Sequence, residues 1–300
     1  MSNIAISILI PAYNSVCVTL VKELSSQAQQ LNVDYEIIVA DDGSTDKASI
    51  AANRSISTLP HCRFIERQEN VGRAAIRNFL AQQASLAYVL YIDSDMTVIS
   101  SDFLSRYIAC LPAQVADGGV AIKASTAEDE RLLRYLYEKA EEPNHTALKR
   151  QQRPYQHLHT ANLLIERQLI LRHPFDERLR CYGYEDVLLG KTLHRNHISI
   201  THIDNPMGFC TFEQNADFIA KTEEGLRTLY AFSSDLRGYS RLLTLVSGVH
   251  IPAIWWLMRL WHHVFGATER RNLCGSRPYL LVFKLYRLGY YLSLIEHREG

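Results

Sequence analysis

Three hundred residues, 47% of them hydrophobic, are enough for one large core or a core with a small appendage. Thirty-two Lys and Arg balance thirty-two Asp and Glu, so no global field draws the chain to nucleic acid. Six cysteines (Cys17, Cys62, Cys110, Cys181, Cys210, Cys274) are scattered without a Cys-x-x-Cys pair, and no signal-like segment precedes Ile4; both features predict a reducing, cytoplasmic setting.

The first element, residues 4–10, is a near-continuous apolar run stopped by Pro11 and followed by Ala12, Tyr13 and Asn14, the pattern of a strand buried on both faces. A second strand, 35–40, ends in Asp41-Asp42-Gly43-Ser44-Thr45-Asp46. Ser44 to Asp46 suit a turn or a helix N-cap, whereas the adjacent pair Asp41-Asp42 is harder to assign to turn chemistry alone. A third strand, 63–66, leads through the glycine turn Asn70-Val71-Gly72 into an Ala-rich helix that carries Arg73 and Arg77 one turn apart. Such arginines ordinarily make surface ion pairs, but at a strand-end crevice both can face a ligand. The fourth strand, 88–92, runs directly into Asp93-Ser94-Asp95. Two carboxylates at the exposed end of a buried strand can share a divalent cation, and that cation can hold a diphosphate and neutralise the charge growing on it as it leaves.

In order, the chain therefore offers Pro-Ala-Tyr-Asn, Asp-Asp-Gly-Ser-Thr-Asp, Asn-Val-Gly-Arg-x-x-x-Arg-Asn and Asp-Ser-Asp, each at a strand end. This series resembles the inverting family-2 glycosyltransferases, most strongly over residues 4–97 and more loosely to about residue 230. The resemblance implies a GT-A fold: a Rossmann-like, mostly parallel sheet flanked by helices. It implies a nucleotide-sugar donor, UDP-linked at the level of the family, held by Pro11, Ala12, Tyr13, Asp41, Asp42, Arg73, Arg77, Asp93 and Ser94. It also implies a manganese or magnesium ion on Asp93 and Asp95.

Farther along, 102–111 reads as a helix, 119–123 as a strand and 128–142 as a charged, solvated helix. Residues 144–156, with Pro154 and the basic run Lys149-Arg150-x-x-Arg153, show no periodicity and read as an exposed loop. The histidine pairs His157/His159 and His194/His197 match no common zinc spacing. After a strand at 159–165, the aromatic turn Cys181-Tyr182-Gly183-Tyr184 opens onto Glu185-Asp186 and a helix to 195. Transfer with inversion needs a carboxylate to take the acceptor's proton opposite the leaving nucleotide. By position and resemblance Asp186 is the candidate base, with Glu185 fixing acceptor hydroxyls or orienting that base. The simpler alternative is that the two carboxylates only favour the helix N-terminus. Many related enzymes place a third metal ligand where this chain has Phe209 and Cys210, after a strand at 198–203 in which His202 points into packing.

The last segment differs in kind. After a helix at 216–232, residues 242–258 contain no charged side chain but are broken by Gly248, His250 and Pro252, too short a run to span a bilayer. Residues 236–300 hold nine Lys or Arg against three Glu, together with Trp255, Trp256 and Trp261. A basic, aromatic segment suits an anionic membrane surface; a helical subdomain packed on the core is the alternative. The expected organisation is a catalytic domain over 1–235, divided into a donor half (1–100) and an acceptor half (101–235), with a C-terminal helical extension over 236–300. The expected activity is metal-assisted transfer of one sugar to a hydroxyl of a glycan or lipid-linked glycan at the inner face of the cell membrane. A nucleotide-sugar-binding subunit with impaired catalysis is the alternative, whereas a nucleotidyltransferase would need a Gly-rich basic loop that residues 11–15 lack.

Overall fold

The computed structural model describes residues 4–31, 33–123, 125–209, 211–249 and 251–296, with Glu296 described by its backbone alone. Ten strands form two sheets: β1 (Ala5–Ala12), β2 (Asp34–Asp41), β3 (Cys62–Glu66), β4 (Tyr88–Ile92), β5 (Met96–Val98), β6 (Val115–Asp117), β7 (Val120–Ile122), β8 (Asn162–Glu166), β9 (Thr201–His202) and β10 (Met207–Phe209). The main sheet has the order β3-β2-β1-β4-β8-β6-β9, and the small one β5-β10-β7. Within the main sheet β1, β2, β3 and β4 are parallel, and β8 runs antiparallel to both of its neighbours.

Helices cover both faces because the central strands are apolar on both. Ile6, Ile8 and Ile10 of β1 enter one core with Val21 and Leu24, while Leu9 enters the other with Ile76 and Leu80. The first strand extends two residues past the expected proline stop. Pro11 is tolerated because β4 pairs only with Ile6 to Leu9, so the missing N–H falls beyond that ladder.

Register then positions the crevice. Ala12 lies opposite Asp41, so Tyr13 and Asp42 emerge at the same edge, beside Asp93 at the end of β4. Because β8 is reversed, with Ile92 opposite Asn162, it is the segment before β8 that reaches this edge, and it brings His157 and His159.

Two expectations for the middle of the chain are corrected. The charged helix at 128–142 is a short 3-10 turn, Asp129–Arg131, followed by the helix Leu133–Glu141. The loop at 144–156 contains a short helix, Ala147–Gln151, capped by the Thr146 side chain. Its purpose is visible in Arg150, which is 1% exposed rather than solvated. That guanidinium donates to Asp117 O (3.0 Å), Gly118 O (3.1 Å) and Ile203 O (2.7 Å) and pairs with the Asp117 carboxylate at 3.1 Å. His202 is buried as expected, but its partners are polar: Asp117 at 3.2 Å and Arg150 at 2.8 Å.

Beyond the helix Asn215–Ala231, four helices follow among the described residues: the short Ser233–Leu236, then Arg241–Gly248, Pro252–Leu273 and Leu280–Glu296. They pack inward, with Leu243 and Tyr291 on Leu188, Leu226 and Leu229, and with Leu273, Phe283 and Tyr286 on Leu133, Phe218 and Ile219. They also face outward: Ile254, Trp256, Leu257, Leu260, Trp261, Val264 and Phe265 are exposed on one helix. Among the described residues no helix is long and apolar enough to cross a membrane.

Candidate active site

Two chambers open at the strand-end edge. The first, about 320 Å³, is lined by Pro11, Ala12, Tyr13, Asp42, Arg77 and Ser94 among others. The second, about 460 Å³, is lined by His157, His159, Glu185, Asp186, Phe209 and Arg287 among others. Arg73, Asp93, Asp95 and Tyr182 line both, so the chambers meet over the Asp-Ser-Asp turn.

Beneath the junction lies a buried charge cluster. Arg77, 1% exposed, donates to Asp93 Oδ1 at 2.6 Å and to Glu185 Oε1 at 3.1 Å. Arg73 approaches the same two carboxylates at 3.7 and 3.9 Å and lies over the Tyr182 ring. Burial alone would raise the Asp93 pKa, but Arg77 and Arg73 hold it below the ordinary carboxylate range. Asp95 is different: its carboxylate is open to the crevice and makes no side-chain hydrogen bond or close ion pair with another described residue. Desolvation by the walls and the charge of Asp93 push its pKa up.

The two acidic residues at the end of β2 divide their work. Asp42 lines the first chamber and accepts hydrogen bonds from the amides of Val71 (3.0 Å) and Gly72 (3.1 Å), fixing the turn that aims Arg73 and Arg77. Gly72 is required there: its φ is +89°, and a Cβ would lie 2.8 Å from Arg180 O. Asp41 turns away, accepts from the Ser44 amide and hydroxyl, and is not part of either chamber wall. Asp46 caps the helix Lys47–Asn53 through Ala48 N and Ser49 N, the turn-and-cap role that its residue type suggested.

Glu185 and Asp186 open the helix Glu185–Arg195 after Gly183 and Tyr184, both with positive φ. Asp186 faces the second chamber and, among the described residues, accepts only from the Val187 amide, at 2.7 Å. Burial and then the neighbouring Glu185 raise its pKa to about 6. His159 stands in the same chamber wall, its Nδ1 3.3 Å from the buried Asp117 carboxylate. Although burial opposes the charged ring, Asp117 raises the pKa of His159. Sequence reasoning missed His159 and Arg287, which line the second chamber, and Lys221, which lines the first, because each comes from an element with no motif of its own. The signal available for His159 was the reversal of β8, which only the sheet reveals.

A divalent cation fits this edge on the chemistry of its donors. Asp95 is a carboxylate without an ion pair or side-chain hydrogen bond among the described residues, and magnesium or manganese accepts one or two carboxylates together with phosphate oxygens and water. Asp93 is already held by two arginines, and Phe209 offers an aromatic ring 6.4 Å from that of Phe212 instead of a ligand. Cys210 lies outside the described residues.

Residues 7–172 match the model of glycosyl transferase family 2. The chain belongs to that family. Within it, an uncharacterized glycosyltransferase of Haemophilus influenzae is 34% identical over 103 residues, 34% of this chain and 40% of that protein. A poly(ribitol-phosphate) beta-glucosyltransferase of Bacillus spizizenii is 40% identical over 106 residues, 34% of this chain and 16% of that protein. The matched region is thus less than half the length of these curated relatives. Among solved family-2-like folds, S. aureus TarS 1-349 in complex with UDP aligns over 99% of this chain and 92% of its own, with a TM-score of 0.52 and 19% identity. A mannosyltransferase of Pyrobaculum calidifontis in complex with GDP-Man and Mn2+ aligns over 98% and 86%, with a TM-score of 0.54 and 15% identity. These likenesses establish the GT-A fold, C-terminal helices included.

Proposed function

We propose that the chain transfers a sugar, with inversion, from a nucleotide-diphosphate donor to a hydroxyl of a glycan acceptor. The observation that carries this reading is the junction of two chambers over Asp95, with Asp186 in the wall of one and the strand-end residues Pro11 to Tyr13 in the other. The donor nucleoside rests against Ala12, Tyr13 and Asp42, with Ser94 alongside and Arg77 as the buried support of Asp93. Uridine is the base favoured by the UDP held in TarS. A divalent ion on Asp95, backed by Asp93, would supply charge neutralisation for the leaving diphosphate.

Asp186 takes the proton of the acceptor hydroxyl. Its raised pKa makes it a stronger base than an ordinary aspartate while leaving it ionised at neutral pH. Glu185, held by Arg77, positions that base. Arg73 at the shared wall follows the donor phosphates.

The C-terminal helices bring the enzyme to a membrane surface. The exposed stripe Ile254 to Phe265 inserts among headgroups, and Arg259 and Arg271 of the same helix meet anionic lipid. A lipid-linked acceptor at the cytoplasmic face follows from that placement. The names of two relatives, a teichoic acid poly(glycerol phosphate) polymerase and a poly(ribitol-phosphate) beta-glucosyltransferase, support a cell-surface polymer as the product class.

The deciding experiment is nucleotide release from a panel of UDP- and GDP-sugars, with and without manganese. Turnover of at least one donor supports transfer. Binding of nucleotide with no release from any donor, with or without acceptor, would support a binding subunit instead.

A further inference from the structure

The second chamber holds four arginines, and three of them are neutralised. Arg73 lies near Asp93 and Glu185, Arg134 pairs with Glu138 at 2.7 Å, and Arg241 pairs with Glu141 at 3.7 Å. Arg287, on the last helix, makes no ion pair and donates no hydrogen bond among the described residues. Its Nε is sealed from solvent without a partner, and its guanidinium lies 5.4 Å from the centre of the Phe283 ring.

That arrangement is costly for an isolated protein. A half-buried guanidinium loses hydration, and a neutral ring returns only part of it. The remaining charge is satisfied when an anion enters the chamber, and the planar fork of arginine matches carboxylate and phosphate oxygens two at a time. The donor diphosphate is not that anion, because Arg287 lines only the chamber of Asp186 and His159 and is absent from the wall formed by Pro11 to Tyr13.

We propose that Arg287 recognises an anionic group, phosphate or carboxylate, carried by the acceptor, so that this enzyme glycosylates a negatively charged glycan. The inference rests on the transferase reading for the word acceptor but not for the anion site itself. It also assigns the C-terminal helices a part in substrate choice, since the last of them supplies this wall of the chamber.

The test has two readouts on the full chain. Binding of inorganic phosphate and of glucuronate is titrated calorimetrically to the wild type, Arg287→Gln and Arg287→Lys, with thermal melts to establish that each variant is folded. Loss of one charge-assisted pair weakens binding about 10- to 100-fold in Arg287→Gln, with the lysine variant intermediate. Phosphate alone, glucuronate alone or both responding to Arg287 identifies which anion is preferred, and each supports the site. Equal affinities in wild type and Arg287→Gln overturn it. In parallel, donor turnover is measured with neutral, phosphorylated and uronic acid acceptors. An anion preference lost in Arg287→Gln supports the acceptor assignment, and one that survives the substitution overturns it. Absence of all donor turnover beside intact Arg287-dependent anion binding strikes the transferase reading and leaves the anion site standing.

Discussion

Glu185 and Asp186 are adjacent in sequence but differ in their partners: Glu185 accepts from the buried Arg77 at 3.1 Å, whereas Asp186 accepts only from the backbone amide of Val187 at 2.7 Å. One carboxylate is neutralised in place, and the other keeps its charge unshared beside it. Burial, and then the charge of Glu185, raises the Asp186 pKa to about 6, and the difference in partners distinguishes two carboxylates that the sequence leaves joined.

Asp186→Asn should lower transfer by about 10²-fold or more, the usual loss when a general base is removed, with donor affinity nearly unchanged. In the wild type, transfer should fall as pH drops through about 6, where the base becomes protonated. Stability carries the opposite sign. A carboxyl whose pKa is raised on folding binds more protons in the native state, so it weakens the fold as pH rises from the ordinary carboxylate range to about 6. The asparagine variant should therefore melt higher than wild type at pH 7 to 8, and this advantage should vanish below about pH 4. A variant that loses donor affinity and transfer in equal measure would place Asp186 in the donor site.

Asp95→Asn should abolish the response to manganese while leaving the melting temperature nearly unchanged. The reason is that this carboxylate has no partner whose loss would be felt. Near-normal turnover at limiting manganese would remove the metal role.

Arg77→Met should be strongly destabilising, by about 3–5 kcal/mol, because it removes the cation hydrogen-bonded to Asp93 and Glu185 and leaves them only the more distant Arg73. Denaturant unfolding measures this directly. The loss should shrink in the double variant Arg77→Met with Glu185→Gln, since one of the two orphaned charges is then gone.

Asp117→Asn tests the network away from the chambers. Burial alone would raise the Asp117 pKa, but His159, His202 and Arg150 hold it well below the usual range, so the native state relies on its ionised form. Removing that charge strands Arg150 and should cost about 3–5 kcal/mol in unfolding free energy. A variant as stable as wild type would mean that the carbonyls around Arg150 suffice.

The outward stripe predicts association with anionic vesicles that weakens as salt screens the arginines. Replacing Trp256, Leu257 and Leu260 by alanine should abolish it, with little effect on folding. Truncation before Arg237 is a poorer test, because it uncovers Phe218, Ile219, Leu226 and Leu229 and should destabilise what remains. Failure to sediment with anionic vesicles at low salt would leave the stripe without a membrane role.

The donor edge was legible because buried parallel strands are written as apolar runs, and the residues that interrupt them stand at the crevice. Tyr13, Asp42, Asp93 and Asp95 all follow from that rule. Arg150 was not legible: the helix that carries it is five residues long, too short to show a period, and its burial depends on carbonyls contributed by β6 and the turns after β6 and β9. His159 required knowing that β8 runs backwards. Arg287 required knowing where the last helix docks. Each is a tertiary fact with no local trace, whereas Asp186 and Asp95 lie in motifs next to recognisable element ends.

The small sheet has a consequence for the order in which the molecule is made. Val98 of β5 meets Met207 of β10, and Phe209 ends opposite Ile122 of β7. These partners are far apart along the chain, so their pairing closes long loops and is expected late, after the more local ladder of β1, β2 and β3 has formed. Val120 and Phe209 line the chamber of Asp186. A chain emerging from synthesis would thus present a nucleotide-binding edge before it has an acceptor wall, and would be able to retain a donor while unable to use it. Pulse-labelled hydrogen exchange should show protection at Ile8 and Ile38 preceding protection at Met207.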